Sequence, residues 1–293
     1  MHKKFGFYPW PLEIKAGPVV VSTLPNLERT ARELYASDCV EGDWFYAPPS
    51  RRHDDVQTLP YSSRVFGLPK THTIEHATAS STDHIDFHLW VLSFFVGMRL
   101  TAAEAGFLDA TPVKPRMLVD FVLHGSGLTR AVELAEDFWT NLNEPVCAKR
   151  FAAAVHALFL GQNPQNLAFE RFTYFYLALD AAFALAKAVH KLGNRSHARR
   201  IKWMCKKYDV TTPAWAEPGN AEVAAIRNCT LHEALFMNEP LGFAGLAGGP
   251  SRYLTLEMRA LVCRLLVALI GGEDPDYVQS PVNTRQRHGL DLS

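Results

Sequence analysis

The sequence predicts an α+β N-terminal region followed by an all-α helical bundle, with helix as the main secondary structure overall. In the first half, short stretches rich in β-branched residues are interspersed with helical patterns. After about residue 144, apolar residues recur mainly at spacings of three and four, which is the period of amphipathic helices. The chain has 293 residues, 48% of them hydrophobic, and can bury a large core without a disulfide or metal staple.

The first predicted domain, residues 1–143, has no assigned role. Its β-branched and alternating stretches predict strands at residues 13–15, 19–22, 62–66 and 71–77. Apolar spacing predicts helices at residues 27–35, 87–99 and 128–142. A loop rich in proline and arginine spans residues 47–60, between the first helix and the later strands.

The second predicted domain, residues 144–272, is a bundle of helices. After a helix at residues 146–160, one apolar stripe marks a long helix, formed by Phe169, Phe172, Tyr176, Leu179, Phe183 and Ala186. A similar stripe lies before Gly271 and Gly272, formed by Leu254, Met258, Leu261, Leu265 and Ala268. Between the stripes we expect a basic helix at residues 196–207 and another beginning near Asn220. Residues 273–293 are polar and predict a loosely held tail.

Composition excludes several classes of protein. Lys plus Arg equals Asp plus Glu at 30 each, which excludes a uniformly basic nucleic-acid coat. The five cysteines form no C-x-x-C pair, so we expect reduced thiols and no zinc finger. The N-terminus lacks an apolar run of signal-peptide length, and the apolar run at residues 87–100 is too short to span a bilayer. The expected location is therefore cytoplasmic, with no membrane partner and no cofactor.

One short motif in the predicted bundle contains side chains that are suited to catalysis. Arg227 and Asn228 are followed by His232 within a predicted helix, and Asn228 and His232 share a helix face because they are four residues apart. A guanidinium recognises phosphate through two parallel hydrogen bonds, and an imidazole exchanges protons near neutral pH. The three side chains therefore suit phosphodiester cleavage without a metal ion.

The Arg-Asn-x-x-x-His string, placed after a long apolar helix in a helical bundle, resembles the HEPN domain (higher eukaryotes and prokaryotes nucleotide-binding). The resemblance covers about residues 146–272 and leaves the first domain unexplained. Many members of that family are metal-independent endoribonucleases that act as homodimers in toxin systems, antiviral defence or RNA processing. It therefore implies an RNA substrate, a composite cleft between two copies, and an antitoxin or other regulatory partner in some settings.

Carried onto this chain, the resemblance implies that Arg227 and His232 are the catalytic pair and that Asn228 orients them. Relatives often carry an acidic residue soon after the asparagine, where this chain has Cys229 and Thr230. A helper acid would then come from elsewhere, with Glu233 and Asp180 as the two candidates. The implied reaction is in-line attack by a ribose 2′-hydroxyl, with His232 as general base and Arg227 stabilising the phosphoryl charge.

A basic stretch supports RNA binding locally. No acidic residue occurs between residues 181 and 208, and the predicted phosphate-binding side chains are Arg195, Arg199, Arg200, Lys202 and Lys206. Alternatively, these basic side chains form a solvated helix face that pairs with acids of another segment, such as Glu133, Glu136 and Asp137.

Two other functions compete with RNA cleavage. In the first, the chain has the HEPN fold but is catalytically silent and serves in nucleotide or RNA binding or in dimerisation. In the second, His72, Glu75 and His76 match the H-x-x-E-H string of zinc hydrolases, which requires a helix where this segment predicts a strand. His84 and His88 would stack on one another if their helix began early, but surface or capping positions are expected for these histidines.

Overall fold

The computed structural model describes residues 1–46, 51–53, 57–59, 68–102, 110–142, 145–220, 222–244 and 251–292. The strand predicted at residues 62–66 lies outside these ranges. The chain divides into two compact units, the first formed by Met1–Leu118 with Ser126–Glu136 and the second by Val119–Gly125 with Asp137–Ser293. About half of the chain is helical and the sheets are small, so the α+β class with a helical majority is confirmed.

The described strands are β1 (His2–Phe5), β2 (Ile14–Ala16), β3 (Val19–Thr23), β4 (Val40–Glu41), β5 (Trp44–Tyr46), β6 (Arg51–His53), β7 (Gln57–Leu59), β8 (His72–His76), β9 (Ala110–Pro112), β10 (Phe121–Leu123), β11 (Leu235–Phe236), β12 (Glu239–Pro240) and β13 (His288–Leu290). The described helices are α1 (Leu27–Tyr35), α2 (Thr82–Val96), α3 (Gly127–Asn141), α4 (Pro145–Leu160), α5 (Ala168–Val189), α6 (His197–Lys207), α7 (Glu222–Glu233), α8 (Leu241–Ala244), α9 (Ser251–Leu269) and α10 (Pro275–Val278).

The first unit is built around an antiparallel sheet in the order β1-β8-β3-β2. Alternate residues of each strand point to the core, because successive side chains of a strand face opposite sides of the sheet. In β8 this places His72, Ile74 and His76 inside, while Glu75 is exposed on the other face. The alternation thus buries two histidines in one strand.

Helix α2 begins at Thr82, five residues before the predicted start at residue 87. The prediction placed the start too late because Thr82, Asp83 and His84 read as polar, whereas His84 and Ile85 are buried. The helix ends at Gly97, whose φ of 65° is the left-handed conformation that glycine adopts most easily at a helix end. The early start puts His84 and His88 on one helix face.

The second unit is organised by α5, which packs against α4 and α9. The predicted stripe is largely confirmed, since Phe172, Tyr176, Leu179, Phe183 and Ala186 are all buried. Among the described residues, α5 alone is long and apolar enough to cross a membrane, and half of its 18-residue apolar window is buried inside the protein. Such burial is expected of a core helix.

The C-terminal segment differs from the loose tail predicted for residues 273–293. Strand β13 pairs in parallel with β10, and Tyr277, Leu290 and Leu292 are buried. Arg264 of α9, itself fully buried, anchors the segment by donating to the backbone oxygen of Ser280 at 2.9 Å and to the side chain of Asp120 at 2.7 Å. The anchor lies outside the segment, so the polar composition of the segment does not reveal it.

Candidate functional site

The Arg-Asn-His motif lies on α7, with its polar side chains toward solvent. Asn228 and His232 are exposed, and Arg227 is partly buried. The Nη1 atom of Arg227 donates a hydrogen bond to Oδ1 of Asn228 at 2.9 Å. The asparagine thus contacts the guanidinium directly.

The buried side of α7 explains why Asn228 and His232 face solvent. Val223 and Ile226 are buried, and the Thr230 hydroxyl donates to the carbonyl of Ile226 at 2.8 Å. Residues at these spacings lie along one side of a helix, so Asn228 and His232 point away from the core. The helix ends where Ala234 adopts a positive φ of 54°, immediately after the motif.

Arg227 lines a small pocket between α5 and α7, with a volume of about 70 Å³. The pocket is lined by Phe172, Thr173, Tyr176, Leu177, Asp180, Arg227, Thr230 and Leu231. Leu177 and Leu231 are 51% and 54% exposed, so an apolar rim faces solvent beside the guanidinium. Because the two leucines line the same pocket, they form one exposed apolar patch, and such patches can mark interaction sites.

A polar network surrounds the same pocket. Arg200 donates to Oδ1 of Asp180 at 2.8 Å, and the Tyr176 hydroxyl lies 2.8 Å from Nδ1 of His197. Burial raises the pKa of Tyr176 and lowers the pKa of His197, so at neutral pH we expect the hydroxyl to donate to a neutral imidazole. Of the two candidate helper acids, Asp180 lines the pocket of Arg227, whereas Glu233 is exposed at the helix end.

The five basic residues predicted to bind phosphate fall into two groups. Arg200 and Lys202 form ion pairs with Asp180 and Glu217. Arg195, Arg199 and Lys206 are exposed, and no ion pair of theirs with an acid occurs in the described part of the chain. Of the three acids expected to pair with this basic stretch, two have other partners. Glu133 pairs with Arg130, and Glu136 contacts three histidines.

The H-x-x-E-H string does not form a zinc-hydrolase site. It lies in strand β8, and Glu75 is on the opposite face from His72 and His76. Nε2 of His72 lies 3.1 Å from the carbonyl of Trp10, and Nδ1 lies 2.9 Å from the Thr71 hydroxyl. His72, Glu75 and His76 therefore do not converge on a common point.

His72 makes the first unit sensitive to acid. Burial lowers the pKa of His72 to about 4, against 6.5 for an ordinary histidine. Between pH 6.5 and about pH 4, His72 is therefore protonated in the unfolded chain and neutral in the folded chain. Because the unfolded state binds the extra proton, the free energy of unfolding falls as the pH drops through this window.

We expect this single group to cost up to about 3 kcal/mol of unfolding free energy between pH 7 and pH 4. His72→Gln should flatten the pH dependence of thermal unfolding over that window, measured by circular dichroism. An unchanged slope in the variant would contradict the assignment. His2→Gln, which removes an exposed histidine of the same unit, is the control.

A second cluster of chemical groups lies in the first unit. The Nε2 atoms of His76, His84 and His88 lie 2.9, 2.9 and 3.0 Å from one oxygen, Oε2 of Glu136. The three histidines are at most 4% exposed, and the Glu136 side chain is 18% exposed. The surface or capping positions expected for these histidines are therefore wrong, because burial and convergence place them in one interior site.

The electrostatics of this cluster reflect its burial. Desolvation lowers the pKa of His84 to about 4 and lowers the pKa of His88 as well. Burial alone would raise the pKa of Glu136, but hydrogen bonds from His88 and His76 outweigh it and hold the value at about 2. At neutral pH His84 and His88 are thus neutral imidazoles beside the Glu136 carboxylate.

Sequence reasoning missed Glu136 as a member of this cluster. The carboxylate is separated from the histidines by 48 to 60 residues, so no short motif joins them. One signal was present: Glu136 follows the buried residues Val132 and Ala135 on α3, at a helical spacing where an apolar side chain is expected. A carboxylate on the apolar face of a helix requires a buried partner.

Comparisons of the chain with known protein families, with curated proteins and with solved structures find no match.

Proposed function

We propose that this protein is a metal-independent endoribonuclease of the HEPN type, acting as a homodimer through Arg227, Asn228 and His232. The observation that carries the proposal is that the polar side chains of the motif reach solvent on α7, with Arg227 hydrogen-bonded to Asn228. A histidine packed inside the bundle would be unable to meet a nucleic acid. The motif is therefore open to an RNA strand, as the proposed reaction requires.

In the proposed reaction, His232 removes the proton from a ribose 2′-hydroxyl. The oxygen attacks the adjacent phosphorus, the bond to the 5′-oxygen of the next nucleotide breaks, and the products are a 2′,3′-cyclic phosphate and a 5′-hydroxyl. Arg227 stabilises the charge on the phosphoryl oxygens, while Asn228 holds the guanidinium in place. The His232 of the second copy or a water molecule protonates the leaving oxygen.

Asp180 is the helper acid that the pocket favours. It lines the same pocket as Arg227 and is bound by Arg200, one of the five basic residues predicted to contact phosphate. A phosphate entering the pocket would meet the guanidinium of Arg227, beside an Asp180 carboxylate that Arg200 holds in place. The exposed Arg195, Arg199 and Lys206 supply further positive charge for an RNA backbone.

The apolar rim of the pocket supports a second copy as the partner. Leu177 and Leu231 are about half exposed and flank Arg227, so a symmetric interface over them would bring two motifs together.

We expect Leu231→Arg to shift the protein to monomers and to lower RNA cleavage at least about tenfold, because a charge in an apolar interface opposes association. Light scattering after size-exclusion chromatography and a cleavage assay measure both effects. Val189→Arg, at the far end of α5 and also exposed, is the matched control. A dimeric and fully active Leu231→Arg variant would contradict this interface.

The test of the proposed class is incubation of the protein with mixed RNAs in EDTA, with circular dichroism recorded in the same buffer. We expect cleavage that leaves 2′,3′-cyclic phosphate ends and no cleavage of DNA, which lacks the 2′-hydroxyl. RNA binding by a folded protein without cleavage would assign the silent module instead.

A further inference from the structure

We propose that His76, His84, His88 and Glu136 form a binding site for one divalent transition-metal ion, with zinc as the metal expected. The site lies wholly within the first unit and is independent of the ribonuclease motif. Its four ligand atoms, three Nε2 and one carboxylate oxygen, all lie within 4.8 Å of one another.

The convergence of these atoms is the main argument. Three imidazole nitrogens approach the same oxygen, Oε2 of Glu136, at 2.9 to 3.0 Å. A carboxylate oxygen has two lone pairs, so three N–H donors exceed what one oxygen accommodates well. Four lone-pair-bearing atoms arranged around a common point are, in contrast, the arrangement that a cation requires.

The surroundings of the His88 ring also favour a metal ion at this site. His88 is completely buried, and its Nδ1 atom has no hydrogen-bond partner in the described part of the chain. Nε2 is therefore the ring nitrogen through which burial of His88 is compensated, and a hydrogen bond to an oxygen shared with two other imidazoles compensates it weakly. A metal bond at Nε2 would supply a larger compensation for burying this side chain.

The dimensions fit a zinc ion. Zinc bonds to imidazole nitrogen and carboxylate oxygen are about 2.0–2.2 Å long, so the ligand atoms of a tetrahedral site are separated by roughly 3.4 Å. The three nitrogen–oxygen separations of 2.9 to 3.0 Å are a few tenths of an ångström shorter than this, and all four ligand atoms lie within 4.8 Å of one another. Neutral nitrogen ligands with one carboxylate are a donor set that zinc accepts and that magnesium and calcium, which prefer all-oxygen sites, do not.

The site would join three elements of the first unit. His76 belongs to β8, His84 and His88 to α2, and Glu136 to α3. A metal ion bound there would tie the sheet to both helices, and its binding free energy would add to the folding free energy of the unit. Binding through Nε2 would also move the His76 proton to Nδ1, which would cost the long 3.3 Å hydrogen bond that Nδ1 accepts from the Thr78 backbone N–H.

The test uses the full chain expressed with added zinc, dialysed against metal-free buffer and analysed by elemental mass spectrometry. We expect about one zinc ion per chain in the wild type and in His72→Gln, a buried histidine of the same strand outside the cluster. His88→Gln should bind zinc at least about a hundredfold more weakly, because even residues that only support a ligand contribute 10- to 100-fold.

Wild-type protein with less than about one tenth of an ion per chain would overturn the proposal and leave a hydrogen-bonded core cluster. So would equal zinc binding in the wild type and His88→Gln. If His88→Gln fails to fold, cobalt(II) added to the metal-free wild type decides the question. Visible absorption of a tetrahedral cobalt site that zinc displaces supports the proposal, and the spectrum of free cobalt(II) overturns it.

Discussion

His232→Ala is expected to lower the rate of RNA cleavage by a factor of about 100 to 10,000, because a proton-transfer group contributes that much to a reaction of this type. Arg227→Ala should lose about 100- to 1,000-fold, since it removes charge stabilisation from the transition state. Both side chains reach the surface of α7, so the melting temperature should change little. A gel assay on a labelled RNA under single-turnover conditions measures the rates.

The matched control is Glu222→Gln, on the first turn of the same helix and also exposed. It should retain the wild-type rate, which separates the motif from general changes to α7. Full activity in His232→Ala would remove the assigned base. Parallel losses in all three variants would indicate a damaged helix instead.

Arg264→Met is expected to cause the largest loss of stability in the second unit. Arg264 is fully buried and its Nη1 donates to Asp120 at 2.7 Å, while the Tyr277 hydroxyl donates to the other oxygen of that carboxylate at 2.6 Å. Removing the guanidinium leaves Asp120 with its charge uncompensated and releases the carbonyls of the C-terminal segment. Breaking one partner of a buried ion pair costs about 3–5 kcal/mol.

A loss of that size should lower the melting temperature by roughly 10 °C in a domain of this length. Arg199→Met, which removes an exposed arginine, should leave the melting temperature within about 2 °C. Adding Asp120→Asn to Arg264→Met should recover part of the loss, because the unpaired charge is gone. Equal melting temperatures for Arg264→Met and Arg199→Met would contradict the anchoring role of Arg264.

Local patterns predicted the helices well where one face is apolar and the ends carry clear signals. The helix predicted at residues 27–35 coincides with α1, and the stripe from Phe172 to Ala186 is the buried side of α5. Helix α2 was predicted to start late because its first turn is polar in sequence and buried in the fold. The ordered C-terminal segment depends on Arg264 and Asp120, which are 144 residues apart, and no local pattern reports such a pair.

The two candidate sites also differ in how far a local sequence pattern predicts them. Asn228 and His232 are four residues apart, so helical spacing alone predicts their common side of α7, and Arg227 precedes Asn228 directly. The histidine cluster combines β8, α2 and α3, and its geometry depends on how these elements pack. The spacing of His84 and His88 predicts a helical pair. The carboxylate that contacts both of them, Glu136, belongs to another helix, and the sequence suggests it only as a partner of the basic stretch.

Attack by the neighbouring 2′-hydroxyl at the Arg227–His232 site is tested with one RNA oligonucleotide in two forms. Once a cleavage position has been mapped, the nucleotide on its 5′ side is replaced by its 2′-deoxy analogue and both RNAs are incubated with the wild-type protein. We expect cleavage at this bond to disappear, while other bonds are cut as before. Continued cleavage at the deoxy position would show that the attacking oxygen comes from elsewhere and would contradict the mechanism.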